Sequence, residues 1–311
     1  MTDAVLICGS VAFDTIAVFD GRFKEHILPD RIHALSVSFL VPQMRREFGG
    51  CAGNIAYNLN LLGGQALPVA TVGADAEDYL KRFDQLGIDT RHVCVLPDML
   101  TAQCFITSDL DDNQISAFHP GAMERSADND VGAQQAKWAI VAPDSKAGML
   151  AHAQRFADSG TPFLFDLGQA MPLFDGNDLL SVFAQASALA FNDYEASVVE
   201  QRTGQSVAEI AESLQAVVVT RGGDGATLYT QGQSIDIPAV KPTAIVDPTG
   251  CGDAHRAGLL YGLTQGWSWE KSCMLGNVMG SIKIAHRGPQ NHAPTHAEIS
   301  KLMQQSFGVM I

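Results

Sequence analysis

Short apolar runs alternate along the chain with longer segments in which apolar residues recur at helical spacing. The apolar runs predict buried strands at Ala4 to Cys8, Leu67 to Val72, Trp138 to Val141, Pro162 to Phe165, Ala188 to Phe191 and Ala216 to Thr220. The longer segments predict helices at Cys51 to Leu62, Ala76 to Leu86, Lys146 to Asp158, Asp178 to Gln185, Tyr194 to Thr203 and Val207 to Leu214. This alternation indicates an α/β fold with a mostly parallel sheet covered on both faces. Ligands bind such sheets beyond the carboxyl ends of the strands.

Two regions, 12–48 and 96–119, break this alternation. They contain stretches in which polar and apolar residues alternate, such as Gln103 to Ser108 and Gln114 to Phe118. A period of two is typical of strands, and paired runs of this kind predict β-hairpins. We therefore expect a small β-sheet lid, contributed by two separate segments that are inserted into a single domain spanning 1–311.

Composition narrows the range of functions. With 46% hydrophobic and 17% charged residues among 311, the chain has the composition of a soluble globular protein. A formal net charge of -14 argues against a nucleic-acid partner, which would be bound through an excess of Lys and Arg. The six cysteines form no CxxC pair, so we expect reduced thiols in the cytoplasm rather than zinc or disulfides. No signal peptide and no membrane span are predicted.

The segment Val246-Asp-Pro-Thr-Gly-Cys-Gly-Asp253 lies between a predicted short buried strand, Ala244 to Val246, and a predicted helix. Small residues recur along that helix at positions that would face a close neighbour: Ala254, Ala257 and Gly258. Main-chain N–H groups of a glycine-rich turn at a helix N-terminus form a nest for anions such as phosphate. Asp253 could orient a hydroxyl and accept its proton, or it could only cap the helix. An aspartate has an ordinary pKa of about 3.9, so we expect proton transfer to be late and coupled to bond formation.

Two segments of the first sixty residues could hold a polyol. Gly49 and Gly50 would let a ligand approach the backbone, and Asn54 offers both a donor and an acceptor. Asp14 follows the first strand and could accept two hydrogen bonds from a vicinal diol. The alternatives are an ordinary glycine turn and a surface aspartate.

Two later segments could bind a nucleotide. Asn192 and Glu195 stand one helical turn apart, where they could hold a hydrated magnesium ion or form an N-capping pair. The glycine turn from Thr220 to Gly225 follows a very apolar strand, and it could hold phosphates or close a hairpin.

Taken together, these segments closely resemble the PfkB (ribokinase-like) family of sugar and nucleoside kinases, and the resemblance covers essentially the whole chain. The motif from Asp247 to Asp253 is highly specific for that family. Motifs of other kinase classes, GxxxxGK[ST], HRD and DFG, are absent from the sequence. The resemblance implies a three-layer αβα sandwich with a mostly parallel central sheet and a small β-sheet lid.

The resemblance also assigns roles to residues. It implies an anion hole at Gly250, Cys251 and Gly252, with Asp253 as the catalytic base. The implied magnesium and ATP-binding residues are Glu195, Asn192, Thr220, Gly222 and Gly225. Those implied for the acceptor's hydroxyls are Asp14, Gly49, Gly50 and Asn54. Many members also bind a monovalent cation such as K+ through the backbone around Asp247 and the segment from Ala285 to Pro289.

The acceptor is inferred from further resemblances. Four segments look like those of bacterial adenosine and nucleoside kinases: Phe19 to Phe23, Leu28 to Asp30, Ser38 to Val41 and Phe118 to Met123. Phe118, with Phe39 and Leu40 nearby, could stack on a purine or could merely fill the core of the lid. Cys104 stands where some relatives carry an aromatic residue, so the slot could also admit inosine or guanosine. His255 stands where relatives commonly have Phe, either as a surface substitution or as a change of packing under the anion hole.

The expected activity is the ATP-dependent phosphorylation of the ribose 5'-hydroxyl of a purine nucleoside, with Mg2+ and a monovalent cation. Two alternatives stay open. One is a kinase of the same family that acts on a free sugar such as ribose or fructose. The other is a nucleoside-binding sensor without catalysis, although the intact Asp253 and its neighbouring glycines count against it. We expect a monomer or a homodimer.

Overall fold

Helices and strands alternate along most of the structure, a computed structural model that describes residues 3–27, 36–111, 113–131 and 136–311. The segment from Leu28 to Asp30, one of those that resemble nucleoside kinases, lies outside the described residues. Each of the six predicted strands and six predicted helices is found, with ends that differ from the prediction by a few residues.

The described strands are β1 (Ala4–Cys8), β2 (Ala12–Val18), β3 (Gln43–Gly49), β4 (Gln65–Gly73), β5 (Val93–Leu96), β6 (Ala102–Ser108), β7 (Gln114–His119), β8 (Trp138–Val141), β9 (Phe163–Asp166), β10 (Ala188–Asn192), β11 (Ala216–Thr220), β12 (Ala226–Thr230) and β13 (Gln233–Ile237). The described α-helices are α1 (Phe23–His26), α2 (Cys51–Leu61), α3 (Glu77–Leu86), α4 (Lys146–Ser159), α5 (Gly176–Phe183), α6 (Asp193–Thr203), α7 (Val207–Ala211), α8 (Cys251–Thr264), α9 (Trp269–Ile284) and α10 (His296–Phe307).

Nine of the described strands form one large sheet in the order β13-β12-β11-β10-β9-β8-β1-β4-β5. All pairs from β11 to β5 are parallel, and only β12 and β13 run antiparallel to their neighbours. Strand β1 is buried along its whole length because helices cover both faces of the sheet. Val5 and Ile7 pack into a core that includes α2 and α8, whereas Leu6 and Cys8 pack into a second core that includes α4. The predicted layered α/β fold is confirmed.

A separate four-stranded sheet has the order β3-β2-β6-β7. Its strands come from the two stretches in which the period-two pattern breaks the strand and helix alternation. Strand β2 is antiparallel to β3 and parallel to β6, and β6 is antiparallel to β7. The prediction of a second, smaller sheet is thus confirmed.

The predicted strand from Ala244 to Val246 is wrong. The chain is irregular there, and Ile245 is 80% exposed. A strand needs a neighbouring strand to receive its hydrogen bonds, but the N–H groups of Val246 and Asp247 instead donate to the carbonyl of Ile284 at the end of α9. Ile245 instead contributes an apolar side chain to the lining of a large cavity.

The small residues on α8 face α9 closely, as predicted. Ala254 and Ala257 are buried, and a Cβ added to Gly258 would lie 2.8 Å from backbone atoms of Leu275 and Gly276. This close packing fixes the position of the N-terminal end of α8. Among the described residues, no helix has the length and apolar character needed to cross a membrane.

Candidate active site

A cavity of about 810 Å³ lies at the carboxyl ends of the parallel strands. The last residues of three adjacent strands line it: Asp166 of β9, Asn192 of β10 and Thr220 of β11. The first turn of α8 forms another part of its wall. Parallel strands end at the same edge of a sheet, so residues far apart in sequence meet in this cavity.

The glycine turn that precedes α8 presents free N–H groups to the cavity. Gly250 has a left-handed φ of 80°, and an added Cβ would lie 2.8 Å from Cβ of Pro289, so only glycine fits without strain. The N–H of Cys251 donates to the carbonyl of Pro248 at 3.1 Å. In the part of the chain that the structure describes, the N–H groups of Gly252 and Asp253 have no acceptor, so they are available to an anion.

Asp253 lies at the start of α8, where the helix meets α2. Its Oδ2 accepts a hydrogen bond from Nδ2 of Asn54 at 2.7 Å. Burial raises the pKa of Asp253 to about 7, and the charge of Asp166 acts in the same direction, whereas Asn54 and Arg256 oppose the shift. The ordinary pKa of about 3.9 that the sequence suggested is therefore too low. A carboxyl with a pKa near neutrality is suited to accepting a proton.

A buried chain of hydrogen bonds fixes the orientation of Asn54. Its Oδ1 accepts from Nε2 of Gln290 at 3.0 Å, so its Nδ2 must face Asp253. Nε2 of Gln290 also donates to the hydroxyl of Tyr79 at 2.7 Å, and this hydroxyl donates to the carbonyl of Gly49 at 2.7 Å. Sequence reasoning did not identify Gln290 or Tyr79, because nothing in their local patterns marks them.

The two glycines at the end of β3 are required by their surroundings. A Cβ added to Gly50, whose φ is 82°, would lie 2.5 Å from the carbonyl oxygen of Ser10. A Cβ added to Gly49 would lie 2.4 Å from Oδ2 of Asp14. The backbone therefore passes directly beside Asp14. Burial raises the pKa of Asp14 to about 6, with further contributions from the charges of Glu47 and Asp247.

Asp14, Cys104 and Phe118 form one row across the small sheet. Asp14 pairs with Cys104 between β2 and β6, and Cys104 pairs with Phe118 between β6 and β7. Directly paired residues point to the same face, so this face presents a carboxylate, a thiol and an aromatic ring. Phe118 is 52% exposed. The structure thus brings together three of the residues predicted for the acceptor site.

Phe39 has another set of neighbours. Its ring centroid lies 4.8 Å from that of Phe19 and 5.0 Å from that of Phe23. These aromatic contacts explain the position of Phe39 without a ligand. They favour the alternative that Phe39 fills the small core of the lid. Leu40, the next residue, is exposed.

Asn192 and Glu195 form a capping box at the start of α6. The N–H of Glu195 donates to Oδ1 of Asn192 at 2.7 Å, and the N–H of Asn192 donates to Oε2 of Glu195 at 2.8 Å. The capping alternative is therefore confirmed. Both residues also line the cavity, so capping does not prevent a second role. Burial raises the pKa of Glu195, and the nearby charge of Asp166 adds to this effect.

The glycine turn after β11 also faces the cavity. Thr220, Gly222 and Gly225 all line it, and the hydroxyl of Thr220 donates to the carbonyl of Phe191 at 3.1 Å. Gly225 has a φ of 90°, and an added Cβ would lie 2.1 Å from the carbonyl oxygen of Ile237. The turn closes a hairpin between β11 and β12, so the hairpin alternative is correct as a structural description.

Asp247 braces the glycine turn that precedes α8. Its carboxylate accepts hydrogen bonds from the N–H groups of Thr249 and Gly288, each at 2.9 Å. Burial acts to raise the pKa of Asp247, but hydrogen bonds from Gly288 and Thr249, together with the positive charge of Lys283, outweigh it, and the pKa is lowered. The carboxylate thereby ties the turn to the segment that follows α9.

Sequence reasoning missed a buried ion pair near Asp253. Nε of Arg256 lies 3.0 Å from Oδ2 of Asp166, and both side chains are buried. Arg256 follows Asp253 by three residues on α8, so both side chains lie on the same side of the helix. This spacing, together with the position of Asp166 at the end of a predicted strand, was the signal available in the sequence.

His255 is not a surface substitution. It is 4% exposed, and a Cβ added to Gly276 would lie 2.8 Å from its ring. The ring therefore packs between α8 and α9, as the alternative interpretation held. Burial lowers the pKa of His255 to about 3, and the positive charge of Arg256 adds to this effect.

Comparison with known proteins places these features in a family. The sequence profile described as "pfkB family carbohydrate kinase" matches residues 14–296. The nucleoside kinase of Burkholderia thailandensis, solved in complex with inosine, is 52% identical with a TM-score of 0.90, over 98% of this chain and 99% of that chain. A second structure of it, in complex with ADP-inosine, gives 53% identity and a TM-score of 0.87 over 98% of this chain and 97% of that chain.

A more distant relative agrees. The nucleoside kinase of Methanocaldococcus jannaschii is 27% identical over 272 residues, which are 87% of this chain and 90% of that protein. These kinases share the large, mostly parallel sheet and the smaller sheet described above. Because the profile matches most of the sequence, the chain belongs to the pfkB family of carbohydrate kinases.

Proposed function

We propose that this kinase transfers the γ-phosphoryl group of ATP to the ribose 5'-hydroxyl of a purine nucleoside. The observation that carries the proposal is the contact between Asp253 and Asn54. This hydrogen bond links Asp253, whose pKa is about 7, to helix α2. Helix α2 begins directly after Gly49 and Gly50, the glycines that lie beside Asp14. Phosphoryl transfer to an alcohol requires a base that lies between the groups that bind the phosphoryl oxygens and those that bind the hydroxyl. Asp253 would lie at such a place.

The acceptor site lies on the small sheet. Asp14 would accept hydrogen bonds from the ribose diol, and Phe118, on the same face, would stack on the base. Cys104 lies between them, and its small side chain leaves room for the substituents of inosine or guanosine as well as adenosine. The nucleoside kinases that resemble this chain, among them one solved with inosine, support this choice of acceptor.

The chemistry follows from the surroundings of Asp253. Its carboxylate would orient the 5'-hydroxyl and take its proton as the new phosphorus–oxygen bond forms. The free N–H groups of Gly252 and Asp253 would donate to the oxygens of the phosphoryl group, whose charge they stabilise without reorganisation. We propose that the small sheet acts as a lid which excludes water, the competing acceptor.

The nucleotide would occupy the cavity at the strand ends. Thr220, Gly222 and Gly225 would line its site, with the exposed Ile245 as an apolar surface for the adenine. Glu195 and Asn192 line the same cavity, where their oxygen atoms would accept hydrogen bonds from the water shell of Mg2+. Bound Mg2+ would neutralise charge on the phosphates.

The proposal can be tested by measuring ADP release with ATP and Mg2+ against adenosine, inosine, guanosine, ribose and fructose. Turnover with the nucleosides but not with the free sugars is expected. Turnover with a free sugar alone would instead identify a sugar kinase of the same family. Tight nucleoside binding without any turnover would identify a binding protein. We also propose a cytoplasmic location, a compartment that keeps cysteines such as these six as reduced thiols.

A further inference from the structure

Lys283, in the last turn of α9, is fully buried at 0% exposure. Lysine is almost never fully buried unless its charge is compensated. In the part of the chain that the structure describes, Lys283 forms no ion pair with a carboxylate within 4.0 Å. Its Nζ donates instead to two main-chain carbonyls, that of Asp247 at 2.7 Å and that of His286 at 3.2 Å. A positive charge is thus held by carbonyl oxygens at the negative end of a helix dipole.

The two carbonyls belong to the two segments that meet behind the anion-binding turn. Asp247 begins the turn that leads to Gly250, and His286 begins the segment that leads to Pro289, against which Gly250 packs. The carboxylate of Asp247 links the same two segments through the N–H of Gly288. Lys283 and Asp247 therefore hold the turn in place with one charge of each sign.

This position is the one at which the family resemblance implies a monovalent cation such as K+. Main-chain carbonyl oxygens are the ligands that K+ uses when it loses its hydration shell. Here two of these oxygens already accept hydrogen bonds from an ammonium group. A K+ ion on the same oxygens would lie next to a like charge in a buried place, where repulsion is strong. The residues present therefore do not fit the expected ion.

We propose that the ammonium group of Lys283 takes the place of the monovalent cation, so that this kinase needs no K+. The fixed charge would join the two segments and would favour negative charge at the adjacent anion-binding turn. The ionisable groups that interact with Lys283 are Asp247, Cys251, Asp253 and His292, so the charge acts close to the catalytic base. Burial lowers the pKa of Lys283, while Asp247, Cys251 and Asp253 act in the opposite direction.

The first test measures thermal unfolding in KCl, NaCl and choline chloride at equal ionic strength, and it needs no enzymatic activity. The wild-type protein should show the same Tm in all three salts. A rise of Tm that is specific to K+ in the wild-type protein would overturn the proposal, because it would show that a cation still binds.

The second test uses Lys283→Ala, which opens a space lined by the freed carbonyls. KCl and NH4Cl should raise the Tm of this variant above its value in choline chloride, whereas Lys301→Ala, a change of an exposed lysine on α10, should behave as the wild-type protein. Lys283→Met fills the space without a charge and should show no response to K+. A folded Lys283→Ala protein that does not respond to either cation would contradict the proposal.

The third test measures kinase turnover with inosine and ATP, and it rests on the proposed function. Wild-type turnover with inosine and ATP should be equal in the three salts. Lys283→Ala should lose about tenfold or more of kcat in choline chloride, as for a lost anion-hole interaction, and recover in KCl or NH4Cl. Loss without recovery would count against the ammonium as a substitute cation. If no acceptor is phosphorylated by the wild-type protein, the proposed function fails, but the unfolding results still decide the question of the cation.

Discussion

The candidate site has two sides, the turn before α8 and the row of Asp14, Cys104 and Phe118 on the small sheet. They differ in how far the protein itself hydrogen-bonds and buries their side chains. On the side proposed for phosphoryl transfer, Asp253 is bound by Asn54, and both oxygens of Asp247 accept backbone hydrogen bonds. On the side proposed for the acceptor, Asp14 and Cys104 are partly buried, whereas Phe118 is half exposed. The difference shows that the groups proposed for the chemistry are fixed in advance by close helix packing. Among the groups proposed for nucleoside selection, the ring of Phe118 is left open, and we expect a bound nucleoside to cover it.

The largest effect is expected on the fixed side, from Asp253→Asn. The variant keeps the shape of the side chain but cannot accept the proton, so kcat should fall by about 10²–10⁴-fold. Nucleoside affinity, measured by calorimetry, should stay within about twofold of the wild-type value, since the binding groups remain. The matched control is Asp158→Asn, an exposed change on α4, which should leave turnover unchanged. Near-wild-type kcat in Asp253→Asn would remove this residue as the base.

A smaller effect is expected at the border between the two sides, from Asp14→Asn. Loss of a charged acceptor of hydrogen bonds costs about 1.5–3 kcal/mol, so KM for the nucleoside should rise about ten- to 150-fold. KM for ATP should hardly change, because Asp14 belongs to the small sheet and not to the cavity lining at the strand ends. Steady-state kinetics with each substrate varied in turn separate the two constants. Equal rises in both would contradict the assignment of Asp14 to the acceptor.

On the open side, Phe118→Ala should raise KM for inosine by about tenfold, the loss of one base-stacking contact. Phe105→Ala offers a close control, because Phe105 is also exposed but lies next to Cys104 on β6 and therefore points to the opposite face. The control should change KM little. If both variants weaken nucleoside binding equally, the row of Asp14, Cys104 and Phe118 does not mark the binding face.

The smallest effect at neutral pH, about twofold, is the dependence of kcat/KM on pH. Asp253 must be ionised to accept a proton, and burial places its pKa at about 7. The value of kcat/KM should therefore be about half its plateau at pH 7 and about a tenth of it at pH 6. A pH series on the free enzyme at saturating ATP measures this. A plateau that extends down to pH 5 would mean that the base has an ordinary carboxyl pKa.

The sequence predicted the fold well because its strands are short, apolar and bounded by glycine or polar residues. The predicted strand from Ala244 to Val246 failed for a tertiary reason, since hydrogen bonding at that place goes to the end of α9 rather than to another strand. The identity of three residues does not show which part of the chain will accept the hydrogen bonds of their backbone.

The candidate site was predictable where function requires an unusual local pattern. Glycines that surround an aspartate are such a pattern, and so is a polar residue that follows a buried strand, as Asn192 does. Lys283 and Gln290 were not predictable, because their roles arise from contacts with residues 36 and 236 positions away. The burial of His255 was equally hidden, since it depends on the absence of a side chain at Gly276.

Transfer to the 5' oxygen is tested most directly by the 31P NMR spectrum, recorded with proton coupling, of the product formed from inosine and ATP. We expect a phosphomonoester signal split into a triplet by the two 5' protons, which appears with the wild-type protein and not with Asp253→Asn. A doublet, which marks a phosphate on the 2' or 3' oxygen, would contradict the proposed orientation of the nucleoside. Absence of any phosphorylated nucleoside would contradict the claim that this kinase acts on nucleosides.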